Sequence, residues 1–161
     1  MATAEIMLRY AGGGAAPATW GANLLGWSCL AFDDTTPEAA YYMGVVPDNY
    51  ASGPVLTVYY SMASANTSDK LDLEASVMAV TPDDAADIDT ASFDAVNAAN
   101  EVVPDTAGHM SELDITLANA DSAAAGDMIF IKLERDADDE TNDTATGDAE
   151  VRGVVLRYTT T

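Results

Sequence analysis

The sequence predicts an all-β chain that folds as a single β-sandwich or jelly roll, with a short N-terminal arm and one long irregular connection. Three observations support this prediction. Short runs rich in β-branched and aromatic residues alternate with clusters of turn-forming residues. No segment keeps a helical period, and 161 residues fit one domain. About seven or eight short strands of this kind are typical of sandwiches and jelly rolls.

The first part of the chain, residues 1–18, is predicted to be an arm. Glu5–Tyr10 has the composition of a short first strand, and Gly12–Pro17 is a glycine-rich connector. We therefore divide the chain into an arm at 1–18 and a jelly-roll domain at 19–161.

Four segments follow in the first half of the domain. Trp20–Phe32 is apolar with two glycines, which indicates bent or bulged β-structure. Tyr41–Val46 and Val55–Met62 are apolar strands, and Lys70–Val80 alternates as a half-buried strand does. Because residues 63–69 form a short polar connection, the last two strands are expected to pair as an antiparallel hairpin.

Residues 81–111 have no sustained period and are predicted to be the long connection. One helical turn is expected near 83–87 and a short strand at 101–103. Leu113–Leu117 then alternates as a strand.

Two final strands, Met128–Glu134 and Glu150–Tyr158, are separated by an acidic loop. The loop carries Asp136, Asp138, Asp139 and Asp143, a weak candidate set of calcium ligands, although the spacing does not match an EF-hand. The alternative is a charged hairpin tip that discourages pairing between sheet edges.

The net charge of −21 excludes a groove for nucleic acid, because phosphate binding depends on clustered Lys and Arg. The N-terminus has no export signal pattern, and no apolar stretch approaches the roughly 18 residues of a membrane span. Neither nucleic acid nor a membrane is therefore expected as a partner. Cys29 is the only cysteine and is expected to be a buried, inert thiol.

No residue pattern indicates catalysis, so we expect neither an enzyme nor a cofactor. His109 is the only histidine, and no serine lies in a nucleophile-elbow pattern. Neighbouring carboxylates are too common to indicate a glycosidase pair.

An ordered set of short signatures resembles small virion proteins of tailed bacteriophages, over about Trp20 to Tyr158. The resemblance implies a jelly-roll module on the outer capsid surface, commonly a homotrimeric decoration or cement protein that binds the major capsid protein. It implies assembly in the host cytoplasm, and related modules occur in head fibres and tail appendages. The signatures are Met43–Gly53, Leu56–Ala65, Ala79–Pro82, Ala125–Asp127, Leu133–Ala137, Gly147–Glu150 and Leu156–Tyr158.

Two other functions stay open. One is a carbohydrate-binding or host-recognition module on a tail or fibre, in which exposed aromatic rings stack on sugars. The other is an acidic secreted hydrolase or calcium-binding domain. Six aromatic residues bear on this choice, and they are expected to lie in the core: Trp20, Trp27, Tyr41, Tyr42, Tyr59 and Tyr60.

Overall fold

The computed structural model describes residues 2–14, 16–22 and 26–161. These residues form strands and no helix, so none of them lies in a helix that could cross a membrane. The strands are β1 (Thr3–Met7), β2 (Arg9–Gly12), β3 (Thr19–Ala22), β4 (Ser28–Phe32), β5 (Glu38–Val45), β6 (Tyr50–Met62), β7 (Lys70–Val80), β8 (Asn97–Val102), β9 (Met110–Thr116), β10 (Met128–Arg135) and β11 (Ala149–Thr160).

The strands build two antiparallel sheets that pack face to face. Sheet A has the order β3-β4-β11-β6-β9, with β1 also beside β11. Sheet B has the order β2-β5-β10-β7-β8. From β4 onward the chain lays down eight strands in the orders β4-β11-β6-β9 and β5-β10-β7-β8, which is the double Greek key of a jelly roll. The predicted fold class is confirmed.

The core lies between the sheets and is filled by the inward residues of each strand. On β10 these are Ile129, Ile131 and Leu133, and on β7 every second residue from Leu71 to Val77 likewise belongs to the core. The alternation that predicted these strands therefore comes from a sheet with one face in the core. The inward residues of β6, β7 and β11 include Leu56, Val58, Tyr60, Leu71, Leu73, Ala75, Val77, Val154 and Leu156.

The predicted hairpin of two consecutive strands is wrong, and so is the alternative interpretation of the acidic loop as a hairpin tip. β6 lies in sheet A between β11 and β9, whereas β7 lies in sheet B between β10 and β8. β10 and β11 are also in different sheets, so the acidic loop crosses from one sheet to the other. Each of these strands buries one face against the opposite sheet. Consecutive strands can therefore lie in different sheets and still share the core.

The segment predicted to be an arm lies within the sandwich. β1 pairs with β11 from Thr3↔Thr159 to Met7↔Val155, and β2 pairs with β5. Leu8, between them, is buried, and its backbone N–H donates to the Val154 carbonyl at 2.9 Å. β1 therefore belongs to sheet A and β2 to sheet B, and the chain passes from one sheet to the other at Leu8.

The long connection is shorter than predicted, because β8 and the start of β9 occupy part of it. Residues 81–96 are irregular, and turns replace the helical turn expected at 83–87. The connection contacts sheet B: the Asp94 N–H donates to the Val77 carbonyl at 2.8 Å, and the Phe93 ring lies 5.8 Å from that of Tyr41.

One charged residue, Arg135, is fully buried at the end of β10. Its guanidinium binds both carboxylate oxygens of Asp143, at 2.9 and 2.7 Å. It also donates to the carbonyls of Phe32, Ala145 and Gly147. These contacts use all five N–H donors, so the buried charge is paired and its hydrogen bonds are satisfied.

Arg135→Met should lower the free energy of unfolding by about 3–5 kcal/mol, because the Asp143 carboxylate would stay buried without its partner. Urea denaturation measures the change. The control is Lys132→Met, which removes a half-exposed ion pair with Glu134 and should cost less than about 1 kcal/mol. A loss below about 1 kcal/mol for Arg135→Met would contradict this role.

Candidate binding cleft beside the last strand

A cleft lies where sheet A is incomplete. On one side of β11, β4 pairs with residues 149–151 and β1 pairs with residues 155–159, while the register of the β6–β11 pair shifts between Val151 and Gly153. The cleft opens beside this irregularity and has a volume of about 200 Å³. It is lined by Met7, Leu8, Tyr10, Trp20, Ser28, Cys29, Leu30, Tyr42, Val151, Arg152, Gly153 and Val154.

Two exposed aromatic rings lie at this cleft. Trp20 is 62% exposed and Tyr10 is 38% exposed. Their ring centroids are 5.3 Å apart at an interplanar angle of 76°, an edge-to-face contact. Tyr10 makes a second edge contact, at 6.2 Å, with the buried ring of Tyr42. The rings join the edge strand of sheet A to the edge strand of sheet B.

The exposure of the tryptophans corrects the sequence prediction. Trp20 and Trp27 are 62% and 66% exposed, not core residues. Trp20 lies opposite Leu30, which is buried, but it stands on β3, the last strand of the sheet. The position of a strand at the sheet edge, which the local sequence does not encode, leaves Trp20 uncovered. Tyr42 and Tyr60 are buried as predicted, whereas Tyr41 and Tyr59 are half-buried.

Arg152 supplies the cationic group of the cleft. Its guanidinium is 2.6 Å from a Glu150 carboxylate oxygen and also donates to the Ser61 hydroxyl and the Trp27 carbonyl. Within the described residues these contacts use three of its five N–H donors. The Arg152 charge is thus neutralised by Glu150, and Arg152 lines the same cleft as the two aromatic rings.

The Cys29 thiol in the cleft wall is buried, as predicted. Burial and the nearby Glu150 carboxylate raise the pKa of this thiol. The thiol is therefore protonated at neutral pH and is a poor nucleophile.

His109 lies far from this cleft in the fold, exposed in the turn that precedes β9. Its backbone N–H donates to the Thr106 carbonyl. The nearby Ser111 hydroxyl donates to a Glu101 carboxylate oxygen at 3.4 Å.

The four acidic residues of the predicted calcium loop have different partners in the structure. Asp143 binds Arg135. Asp139 accepts hydrogen bonds from the backbone of Thr141 and Asn142 and from the Asn142 side chain. Asp138 is exposed, and Asp136 lies beside β7, where its N–H donates to the Asp72 carbonyl at 3.3 Å. The loop as a whole is ordered around an arginine that the sequence analysis did not single out.

Two further groups of carboxylates lie near this end of the sandwich. Oxygens of Asp33, Asp34 and Asp148 lie within 4.8 Å of one another. On the outer face of sheet B, burial raises the pKa of Asp72 to about 6, with further contributions from Asp139, Glu74, Asp136 and Asp143. The alternating pattern of β7 identifies Asp72 as outward-facing, yet this residue is buried, and its backbone N–H and carbonyl are hydrogen-bonded to Asp143 and Asp136 of the following loop.

Comparisons with known proteins give structural neighbours only. No protein family model and no curated protein matches the sequence. Solved structures that resemble the chain include carbohydrate-binding modules. The mannan-recognising TmCBM27 is 13% identical with a TM-score of 0.48, and the alignment covers 99% of this chain and 100% of that one. A CBM6 of a marine laminarinase from Zobellia galactanivorans is 11% identical (TM-score 0.46; 98% and 100% covered). The xylan-binding module CBM15 is 12% identical (TM-score 0.47; 99% and 97% covered). At this similarity the ligands of those modules say nothing about this chain.

The raised pKa of Asp72 predicts that the free energy of unfolding depends on pH. Between about pH 4 and pH 6 the folded protein holds a proton that the unfolded chain has released, so stability should fall as the pH rises through this range. Asp72→Asn should reduce this fall, and the exposed control Asp138→Asn should not. Urea denaturation at several pH values tests this, and equal slopes in all three proteins would contradict it.

Proposed function

We propose that this protein is a non-catalytic carbohydrate-binding module that holds a sugar unit of a neutral polysaccharide in the cleft beside β11. The observation that carries this proposal is the exposed pair Trp20 and Tyr10 at the mouth of a cleft that also contains the Arg152 guanidinium.

Large exposed aromatic rings that gather at a concave site indicate ligand binding, because their apolar surface is left in contact with water. Met7, Tyr10, Trp20 and Trp27, four of the large exposed hydrophobic residues, lie at this cleft or beside Arg152. A sugar ring presents an apolar C–H face and a rim of hydroxyl groups. The Trp20 ring fits the face, and the Arg152 N–H groups and the Ser28 hydroxyl fit the rim.

Charge indicates a neutral ligand. The chain carries −21 overall, which repels polyanions such as polyuronates or sulfated polysaccharides. Arg152 is already paired with Glu150, so it offers hydrogen bonds more than net positive charge. Hydroxyl groups of neutral sugars match such a donor.

The binding groups are held by strands rather than by flexible loops. Trp20 belongs to β3, which pairs with β4 over Thr19–Ala22, and Tyr10 belongs to β2, which pairs with β5. Rigid placement reduces the conformational entropy lost on binding. The cleft volume of about 200 Å³ suits one ring of a polymer, with the flanking rings outside it.

The virion role stays a prediction from the sequence signatures. A homotrimer on the outer capsid surface, bound to the major capsid protein, is tested by locating the chain in particles and counting copies at symmetry axes. A carbohydrate-binding module on a tail or fibre is compatible with the cleft.

Trp20→Ala should weaken binding of a neutral polysaccharide at least tenfold, because it removes the ring on which the sugar stacks. A panel of soluble neutral and acidic polysaccharides identifies the ligand by affinity electrophoresis, and titration calorimetry gives the affinity. Trp20→Phe should retain part of the affinity. The control Met110→Ala truncates an exposed side chain on β9 and should bind as the unaltered protein does.

Fluorescence gives a second readout, since the chain has only two tryptophans. In Trp27→Phe, the remaining emission comes from Trp20 and should shift on sugar binding. Binding that Trp20→Ala leaves unchanged, or a panel in which no neutral polysaccharide binds, would overturn the proposal.

A further inference from the structure

The cleft beside β11 contains a buried hydroxyl group that the fold leaves without a partner. Tyr42 lines the cleft and is 5% exposed, and its hydroxyl makes no hydrogen bond with the described residues. The other two buried tyrosines among these residues have partners. The Tyr60 hydroxyl donates to Glu101 at 2.8 Å. The Tyr158 hydroxyl donates to Asn49 at 3.1 Å. Because buried tyrosine hydroxyl groups are usually hydrogen-bonded, Tyr42 is the exception.

The Tyr42 hydroxyl is available as a donor to a ligand in the cleft. Burial raises the pKa of this phenol, so it keeps its proton at any pH near neutrality. Within the part of the chain that the structure describes, an Asp72 oxygen is the only side-chain oxygen or nitrogen that is fully enclosed without a hydrogen bond. The Tyr42 hydroxyl therefore keeps contact with solvent, and the cleft is the open space that Tyr42 lines.

The other buried side chains that line the cleft are apolar apart from the weakly polar thiol of Cys29. A sugar hydroxyl group placed against them would lose its hydrogen bonds to water and would find at most one partner, which is costly. The part of a ligand that enters deepest therefore needs one acceptor for Tyr42 and otherwise apolar atoms. The buried apolar residues of the cleft are Leu8, Cys29, Leu30, Val151 and Val154.

We propose that the cleft recognises an acetyl group on the sugar unit, with its carbonyl oxygen bound to the Tyr42 hydroxyl and its methyl group against the apolar side chains. The inference rests on the proposed function, since it names a substituent of the sugar that the same cleft holds. An acetyl carbonyl only accepts hydrogen bonds, whereas a sugar hydroxyl group both donates and accepts. An acetyl group is also uncharged, which suits a chain of net charge −21.

The exposed and buried residues of the cleft divide the ligand between them. Trp20 and Tyr10, which are exposed, meet the sugar ring, while the buried residues meet the acetyl group. An N-acetyl amide and an O-acetyl ester both carry the required carbonyl and methyl group. The N–H of an amide is left to water and to the exposed Ser28 hydroxyl at the cleft.

Matched ligand pairs test the acetyl preference on the full chain. For an N-acetyl source, titration calorimetry compares triacetylchitotriose with cellotriose, which has hydroxyl groups in place of the acetamido groups. For an O-acetyl source, it compares O-acetylated xylan and O-acetylated glucomannan with the same polymers after alkaline deacetylation. At least one acetylated ligand should bind at least tenfold more tightly than its matched partner, because only the acetyl group pairs with the Tyr42 hydroxyl. The pair that shows this difference identifies the source.

Tyr42→Phe removes only the hydroxyl group and locates the contact. It should weaken binding of the acetylated ligand at least tenfold and leave binding of the matched partner unchanged. Its unfolding temperature should equal or exceed that of the unaltered protein, since the fold loses no hydrogen bond. Tyr41→Phe is the matched control, because Tyr41 is the next residue of β5 and faces the other side of the sheet. It should bind both members of each pair as the unaltered protein does.

The outcomes separate this inference from the proposed function. Binding that depends on Trp20 but does not change on deacetylation would overturn the acetyl inference and leave the sugar cleft standing. An acetyl preference that Tyr42→Phe retains, or that Tyr41→Phe loses equally, would overturn the contact with Tyr42. A protein that binds neither member of any pair, nor any other neutral polysaccharide, would overturn both proposals.

Discussion

The buried ion pair between Arg135 and Asp143 is the constraint on which this end of the jelly roll depends. Arg135 ends β10 in sheet B. Its guanidinium donates to the Phe32 carbonyl at the end of β4 in sheet A and to two carbonyls of the loop that leads into β11. One side chain therefore ties both sheets and their crossing loop. Because β4 and β11 form two walls of the cleft, the position of the cleft depends on this pair as well.

Strand positions could be predicted from the sequence, because alternation such as that of Leu71, Leu73, Ala75 and Val77 directly reflects one buried face. Strand partners could not be predicted, since two consecutive strands joined by a polar connection can either pair as a hairpin or lie in different sheets. Arg135 follows the inward phase of Ile129, Ile131 and Leu133, which is a signal that was available. The exposure of Trp20 could not be predicted, because it depends on which strand forms the edge of the sheet.

The distribution of charge explains how an acidic chain can fold this tightly. Four of the six basic side chains, Lys132, Arg135, Arg152 and Arg157, lie in ion pairs. On sheet A, Arg157 alone meets Glu5, Glu112 and Asp114. These basic residues therefore form ion pairs with neighbouring carboxylates, and the remaining surface carries a negative charge. Such a surface discourages association with anionic polymers and leaves hydrogen bonding and apolar contact as the means of recognition.

The pairing of β1 with β11 brings the two ends of the chain side by side: the Thr160 N–H donates to the Ala2 carbonyl at 2.9 Å. A circular permutant joined at this point by a short linker and reopened in the irregular 81–96 segment would preserve each strand pair. It would make the β1–β11 contact local in sequence and lengthen others, so the contact order would be redistributed while the native sandwich stayed the same. A permutant that folds to this sandwich would separate the order in which the strands are synthesised from the architecture that they build.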